Sequence, residues 1–170
     1  VAAGLILPNS EILIKNVGIN PTRAGLIKVC EAMGADLTLL NEDHENAEPT
    51  ADLLVRTSSL RGCVIEGDII PTLIDELPTI AMMACFAEGT TVIRDAAELK
   101  VKESNRIAIM VENLRAMGAD VEETEDGMII HGGKPLHGAV VDSHKDHRIA
   151  MTFAVAALAA DGETEIIDAD

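Results

Sequence analysis

A chain of 170 residues, 48% of them hydrophobic, can bury one sizeable core and falls in the size range of a single domain. Its formal net charge of −16 excludes nucleic-acid backbones and anionic membrane surfaces as partners, because both would repel it at long range. Any site for an anionic metabolite must therefore be a local cluster of Arg and Lys, assisted by helix N-termini.

The cysteines and the apolar segments indicate a cytoplasmic protein. Cys30, Cys63 and Cys85 are odd in number and widely spaced, as expected of reduced thiols. The longest apolar stretch, 149–160, is too short to cross a bilayer, and no signal segment opens the chain. The chain starts at Val1 without Met and in the middle of an apolar run, so we expect it to be a piece of a longer polypeptide.

The first predicted unit runs from an amphipathic helix to a buried one. The amphipathic helix spans 23–33 and ends at Gly34, a residue that suits the conformation of a helix terminus. Alternating segments at 36–40 and 53–56 predict a β-hairpin. The segment 76–87 is apolar on nearly every side, which indicates a central helix rather than a surface helix.

The second predicted unit repeats this order of elements and part of the amino-acid sequence. The pentapeptide Ala-Met-Gly-Ala-Asp at 32–36 returns at 116–120. The elements predicted around the second copy are a helix over 103–117 that ends at Gly118, strands at 120–123 and 128–131, and an apolar helix over 144–160. Repetition of this kind aligns the two buried helices, so that their positive N-terminal ends would face one surface and suit an anion there.

Two short motifs lie where helices are predicted to begin. Lys102-Glu103-Ser104-Asn105-Arg106 places two cations and a carboxylate on one helical face. Asp146-His147-Arg148 opens the second buried helix. The helix dipole favours Asp146 there but not Arg148, which needs an acidic partner or an anionic ligand. An arginine beside a carboxylate can hold a small anion and move protons next to it.

Each of these features also has a purely structural interpretation. The first motif could be a solvated helix start with an ordinary ion pair, while Asp75 and Ser143 are the predicted N-caps of the two buried helices. His144 and His147 have a spacing that suits a metal, but no third ligand is spaced with them and the neighbouring cations oppose one, so no metal site is expected. Glycine-rich phosphate loops are absent, which removes the usual ATP and NAD hypotheses.

Four ordered segments resemble the 5-enolpyruvylshikimate-3-phosphate synthase family. They are Asn20-Pro21-Thr22-Arg23, Ile74-Asp75-Glu76-Leu77-Pro78, the run from Glu98 to Arg106, and the run from Asp146 to Met151. The resemblance implies an enolpyruvyl transferase-like α/β (α+β) fold, an inside-out domain of repeated βαβαββ units with buried central helices. It also implies that residues 1–19 are the terminal helix-strand piece of a preceding domain, and that residues 20–170 are most of the C-terminal domain.

By the same resemblance, the parent enzyme transfers the enolpyruvyl group of phosphoenolpyruvate to the 5-hydroxyl of 3-phosphoshikimate and releases phosphate, without a metal or an organic cofactor. Asp75 would act as a base toward the attacking hydroxyl, and Glu103 would protonate the methylene carbon. The remaining implied residues are the substrate-binding Lys102, Arg106, Arg148 and Glu98, and the supporting Asp146 and His147.

Two alternatives stay open at this point. The sister family that acts on UDP-N-acetylglucosamine shares the implied fold and reaction, although the residues of the two motifs, Lys102 to Arg106 and Asp146 to Arg148, favour the shikimate enzyme. The chain by itself could also be a folded, anion-binding part without catalysis, because half of a cleft holds only some of the charges that position two substrates. The resemblance to the shikimate enzyme implies that the partner of this chain is the missing N-terminal domain of the same enzyme.

Overall fold

The computed structural model describes every residue from Val1 to Asp170. Its helices are α1 (Ala2–Ile6), α2 (Gly25–Ala32), α3 (Leu77–Cys85), α4 (Arg106–Ala116) and α5 (His147–Ala159). Its strands are β1 (Glu11–Gly18), β2 (Asp36–Asp43), β3 (Thr50–Arg56), β4 (Val64–Ile65), β5 (Thr90–Ile93), β6 (Asp120–Glu123), β7 (Met128–His131), β8 (Val140–Asp142) and β9 (Glu165–Ile167). Short 3₁₀ helices occupy Gly67–Thr72, Ile74–Glu76 and Ala97–Val101. None of the helices is long and apolar enough to span a membrane.

The strands form three sheets that follow one plan. β1, β3 and β2 lie side by side in the first sheet, all antiparallel. The second has the order β4-β5-β7-β6, in which β4 and β5 are parallel and the other neighbours antiparallel. β8 and β9 form a parallel pair. The run β4-α3-β5-α4-β6-β7 is therefore one complete βαβαββ unit, with parts of two similar units before and after it.

Both predicted hairpins are present. β6 and β7 begin and end at the predicted residues, whereas β2 and β3 are longer than predicted and continue past a break in register between Leu40 and Asp43. The helix-ending glycines Gly34 and Gly118 have φ of +80° and +92°. The repeated pentapeptide is therefore a repeated helix end, at a backbone conformation that favours glycine.

The helix α3 lies at the centre of the core. Every residue of α3 except Thr79 is buried, and α1, α4 and α5 all pack against it. The aliphatic and sulfur-containing side chains around it, with Phe153 of α5, form one continuous core. The prediction of a central, buried helix over 76–87 is confirmed.

The helix α5 is buried on one side only. Ile149, Phe153 and Ala156 face the core, whereas Met151 and Leu158 are 66% and 64% exposed. The sequence predicts that α5 is buried on nearly every side. For the outer face of α5 this prediction is wrong, because no other part of this chain covers that face. An apolar helix has no apolar stripe to orient it, so its composition does not show which of its sides have neighbours.

The first nineteen residues pack with the rest of the chain. Leu5 of α1 is fully buried in the common core, and β1 pairs with β3 from Glu11 opposite Arg56 to Gly18 opposite Thr50. The family resemblance implies a change of domain between residues 19 and 20. Within this chain β1 and α1 pack with the residues that follow, and the assignment of residues 1–19 to a preceding domain stays a prediction.

The cysteines are free thiols with different exposure. Cys30 and Cys85 are buried, and Cys63 is half-buried. Burial raises the pKa of Cys30 to about 11 and the pKa of Cys85 to about 12. Because the thiolate is the reactive form, these two cysteines are unreactive parts of the core at neutral pH.

Two methionines test the different burial of α3 and α5. Met83→Ala empties a fully buried position and should lower the free energy of unfolding by about 2–5 kcal/mol. Met151→Ala lies on the exposed face of α5 and should change that free energy by less than about 0.5 kcal/mol. Urea unfolding followed by circular dichroism measures both. Equal losses in the two variants would contradict the central placement of α3.

Candidate active site

A cluster of charged side chains lies where α3, α4 and α5 begin. These three helices pack against one another in pairs, and their first turns open onto a common surface. Asp75 lies just before α3, Arg106 is the first residue of α4, and Arg148 is in the first turn of α5. Contacts among these three side chains confirm that the helix N-termini converge, as the repeat predicts.

Arg106 is the centre of the cluster and is only 1% exposed. Its Nε donates to Asp146 Oδ2 at 2.8 Å, and its Nη1 donates to Asp75 Oδ1 at 3.1 Å. Its Nη2 donates to Glu103 Oε2. A guanidinium buried this deeply needs acidic partners, because an unpaired buried charge costs several kcal/mol. One side chain thus ties the starts of three helices together.

Asp146 is the inner partner of Arg106 and is fully buried. Its Oδ2 accepts a hydrogen bond from Ser104 Oγ at 2.7 Å in addition to the one from Arg106. Its Oδ1 accepts from the backbone N–H groups of Arg148 at 3.0 Å and Ile149 at 3.4 Å. Asp146 is therefore both the N-cap of α5 and the counter-ion of the first residue of α4.

The two predicted N-caps, Asp75 and Ser143, are both wrong. The Ser143 hydroxyl donates instead to two backbone carbonyls in the segment around the end of β9. Asp75 lies inside a 3₁₀ turn, and α3 follows with Glu76 at its N-cap position and no side-chain cap. Both helices start later than predicted, and the Asp75 carboxylate is used by Arg106 rather than by the α3 backbone.

Charge pairing outweighs burial at the centre of the site. Burial alone would raise the pKa of Asp146, but the hydrogen bonds from Arg106 and Ser104 and the charge of Arg106 hold that pKa below its usual value. Burial alone would lower the pKa of Arg106, and the bond and charge of Asp146, followed by the charge of Glu103, raise it instead. Both groups are charged at neutral pH.

Two further cations lie on the outer side of the cluster. Lys102 Nζ is 2.7 Å from Glu98 Oε1 and 3.9 Å from Asp75 Oδ1, and the bond to Glu98 raises the pKa of Lys102. Arg148 has only long contacts, 4.0 Å to Asp75 and 3.9 Å to Glu76. Its side chain is 42% exposed, so of the three cations Arg148 is the most accessible to a ligand.

Two hollows open beside Arg148. One, of about 300 Å³, is lined by Thr79, the exposed His147 and Met151 together with Asp75. The other, of about 400 Å³, also includes Asp75 and extends to Arg23. The predicted site residues all belong to the charged cluster or line these hollows; they are Asp75, Glu98, Lys102, Glu103, Arg106, Asp146, His147 and Arg148.

Ser104, Glu76 and Arg23 are among the residues at the site that were not predicted. Ser104 bonds to Asp146, Glu76 contacts Arg148, and Arg23 lines the larger hollow. All three stand inside the segments that carry the family resemblance, which was the available signal. A serine or a glutamate beside a helix start is most often a cap or a solvated group, so the local pattern alone did not single them out.

Asp146→Asn tests the buried ion pair by its pH dependence. The folded-state pKa of Asp146 is depressed below the unfolded value of about 3.9, so the pair stabilises the fold above about pH 4 and this contribution is lost as the pH falls through the folded pKa. The variant should be about 3–5 kcal/mol less stable at pH 7, because it leaves the buried charge of Arg106 short of its partner. Its stability should then fall less between pH 4 and pH 2.

Urea unfolding across this pH range measures the effect. Asp120→Asn, at an exposed position on β6, is the matched control and should follow the wild-type curve. A variant Asp146→Asn with wild-type stability at pH 7 would contradict the role of the ion pair.

Comparison with known proteins identifies the family. The family model described as EPSP synthase (3-phosphoshikimate 1-carboxyvinyltransferase) matches residues 1–170. The 3-phosphoshikimate 1-carboxyvinyltransferase of Synechococcus sp. (strain JA-3-3Ab) is 56% identical over 170 residues, which are 100% of this chain and 38% of the relative. That of Brevibacillus brevis is 58% identical over 166 residues, 98% of this chain and 39% of the relative. The chain thus spans about two fifths of the length of these relatives.

Solved structures agree with these relatives. An EPSP synthase from Acinetobacter baumannii matches with a TM-score of 0.95 and 43% identity, over 99% of this chain and 40% of that chain. The enolpyruvyl transferase NikO from Streptomyces tendae matches with a TM-score of 0.75 over 99% of this chain and 36% of that chain; at 21% identity this shows the fold alone. The names of the relatives do not favour the UDP-N-acetylglucosamine alternative. This chain has the α/β fold of the enolpyruvyl transferases and belongs to the EPSP synthase family.

Proposed function

We propose that the chain supplies one wall of the active site of a 3-phosphoshikimate 1-carboxyvinyltransferase. The enzyme passes the enolpyruvyl group of phosphoenolpyruvate to the 5-hydroxyl of 3-phosphoshikimate and releases phosphate. The observation that carries the proposal is the meeting of Arg106 and Arg148 with the carboxylates Asp75 and Glu103 at three converging helix starts. The names of the relatives support the same reaction.

Arg106 and Arg148 bind the carboxylate of phosphoenolpyruvate. Arg148 is half-exposed and has only long contacts, so a ligand can approach it without breaking a short ion pair. Arg106 is held from the inside by Asp146, while its outer nitrogens face Asp75 and Glu103, whose side chains are 41% and 57% exposed. A substrate carboxylate can replace Glu103 on the outer edge and keep the guanidinium paired.

Asp75 and Glu103 carry the two proton transfers. Addition of a hydroxyl to phosphoenolpyruvate needs a proton at the methylene carbon and a base at the attacking oxygen. The two carboxylates contact different terminal nitrogens of Arg106, Asp75 on Nη1 and Glu103 on Nη2. We assign to Glu103 the transfer of a proton to the carbon, and to Asp75, whose Oδ1 is 3.9 Å from Lys102 Nζ, the acceptance of the hydroxyl proton.

Lys102 and Glu98 contact the shikimate-side substrate. Lys102 and Glu98 form a 2.7 Å pair, and Asp75 lies between Lys102 and Arg148 and contacts both. His147 lines the smaller hollow beside Arg148 and supports the orientation of that arginine. These assignments leave Asp146 inside the protein, without direct access to a substrate.

The rest of the parent enzyme is the partner that completes this site. The cluster contains fewer cations than carboxylates. Its three cations are Lys102, Arg106 and Arg148, and its five carboxylates are Asp75, Glu76, Glu98, Glu103 and Asp146. Two anionic substrates need additional positive charge, which we assign to the N-terminal domain and to segments outside this chain. The free cysteines support a location in the reducing cytoplasm.

Glu103→Gln and Arg148→Ala test the two assigned roles in the full-length enzyme that contains this chain. Glu103→Gln should lower kcat by about 10²–10⁴-fold, since it removes the proton donor. Arg148→Ala should raise the KM for phosphoenolpyruvate by about tenfold or more, since a hydrogen bond to a charged group is lost. Phosphate release with both substrates present measures both constants.

Arg94 and Glu66 provide the matched controls. They form an exposed 3.0 Å ion pair outside the cluster, so Arg94→Ala and Glu66→Gln should leave both constants close to wild type. If the control variants lost as much activity as the site variants, the assigned roles would be refuted. If the wild-type enzyme released no phosphate, the transferase assignment would be refuted, and the interpretation as an anion-binding protein without catalysis would remain.

The acceptor is tested by protection against heat. A ligand present at 100 times its dissociation constant stabilises the folded state by about 2.7 kcal/mol, provided that the unfolded state does not bind it. 3-Phosphoshikimate should therefore raise the melting temperature of the full-length enzyme, and UDP-N-acetylglucosamine at the same concentration should not. The opposite result would assign the enzyme to the sister reaction.

A further inference from the structure

Ser104 stands between Glu103 and Arg106 and has no role in the reaction described above. Its hydroxyl donates to Asp146 Oδ2 at 2.7 Å, and the same oxygen accepts from Arg106 Nε at 2.8 Å. The two donors come from one short stretch of chain at the start of α4, and the acceptor is the N-cap of α5. One carboxylate oxygen thus receives a neutral and a charged donor from the other helix.

Capping of its own helix does not account for Ser104. The N-cap of α4 is Asn105, whose Oδ1 accepts from the backbone N–H of Ala108 at 3.2 Å. The Ser104 hydroxyl is left to bond across to α5 instead. Its partner Asp146 is fully buried, so removal of the hydroxyl would leave the Asp146 Oδ2 with one donor fewer.

The orientation of the Asp146 carboxylate depends on both of its oxygens. Oδ1 is held by the backbone N–H groups of Arg148 and Ile149 and, at 3.4 Å, by Arg106 Nη2, whereas Oδ2 is held by Ser104 and Arg106 Nε. The terminal torsion of an aspartate is broad and has little preference of its own, so these donors fix the plane of the carboxylate. Without the hydroxyl, Oδ2 is held by the long side chain of Arg106 alone.

We propose that Ser104 is a positioning residue of the anion site: its hydroxyl fixes Asp146, and Asp146 fixes the plane in which Arg106 offers its outer nitrogens to the substrate carboxylate. The proposal rests on the proposed function, in which Arg106 binds phosphoenolpyruvate. The guanidinium is planar and rigid, so a rotation at Nε moves Nη1 and Nη2 together. A small error in this plane misplaces both donors at once.

Binding of phosphoenolpyruvate to the full-length enzyme tests the proposal. In calorimetric titrations with 3-phosphoshikimate present, Ser104→Ala should raise the dissociation constant of phosphoenolpyruvate about tenfold, the effect of losing a hydrogen bond to a charged group. Ser104→Thr keeps the hydroxyl and should bind within about twofold of wild type. The affinity for 3-phosphoshikimate alone should not change, because Ser104 acts on Arg106 and not on Lys102.

Ser143→Ala is the matched control. Ser143 is a buried serine near the start of α5, and its hydroxyl donates to the carbonyls of Ile167 at 3.0 Å and Asp168 at 2.6 Å without bonding to the Asp146 side chain. Its loss should lower stability and leave phosphoenolpyruvate binding unchanged. Equal weakening of binding by Ser104→Ala and Ser143→Ala, or unchanged binding in Ser104→Ala, would overturn the proposal.

Acid unfolding gives a readout that does not depend on the substrates. Removal of a donor from the ionised Asp146 should move the acid limb of the unfolding curve to higher pH in Ser104→Ala but not in Ser143→Ala. Asp146 is faced by Arg106 from α4, with the carboxylates of Glu103 and Asp75 beyond that guanidinium.

Two outcomes would contradict the proposal. If Ser104→Ala moved the acid limb of the unfolding curve and left the affinity for phosphoenolpyruvate unchanged, the positioning role would be overturned. A wild-type enzyme that does not bind phosphoenolpyruvate would overturn the proposed function itself, and the positioning role with it.

Discussion

The buried ion pair between Arg106 and Asp146 determines how three helices begin at one place. Arg106 and Asp146 are 1% and 0% exposed, so both charged groups lose most of their hydration. Their attraction offsets the free-energy cost of this loss only because the remaining donors of Arg106 and acceptors of Asp146 also form hydrogen bonds. Asp146 accepts from two helices, and Arg106 donates to three carboxylates. An apolar pair could hold the helices as well, so stability alone does not account for the ion pair. What the ion pair adds is a guanidinium held at a fixed position within the site.

This arrangement lets a chain of net charge −16 present cations at helix N-termini. Arg106 and Arg148 lie at the positive ends of α4 and α5, where the helix dipole disfavours them. Asp146 compensates for both, since its side chain pairs with Arg106 and caps the helix that carries Arg148. The long contacts of Arg148 leave it the least compensated of the cations, in agreement with a binding role.

The sequence predicts those parts of the molecule that depend on local patterns. β6 and β7 are predicted to the residue because short alternating strands flank a compact turn, and the two helix-ending glycines are predicted because the pentapeptide repeats. The site residues are predicted as a group because the four segments that resemble the family occur in the family's order along this chain.

The N-caps predicted at Asp75 and Ser143 are wrong because a short polar side chain can bond to a backbone N–H or to a distant partner equally well. Only the packing around the side chain selects one of the two. The exposure of the outer face of α5 likewise depends on tertiary neighbours.

The pairing of strands between units has a consequence for dividing the molecule. The sequence repeat from α2 to β5 contains strands of two sheets: β3 pairs with β1, which precedes the repeat, and β5 pairs with β7 of the next repeat. The limits of the sequence repeat therefore do not coincide with the limits of the sheets. A unit excised at the limits of the sequence repeat would separate β3 from β1 and β5 from β7, and would leave exposed backbone edges in both sheets. Circular permutants and split versions of the chain should instead be opened just before β4, where each cut leaves whole sheets.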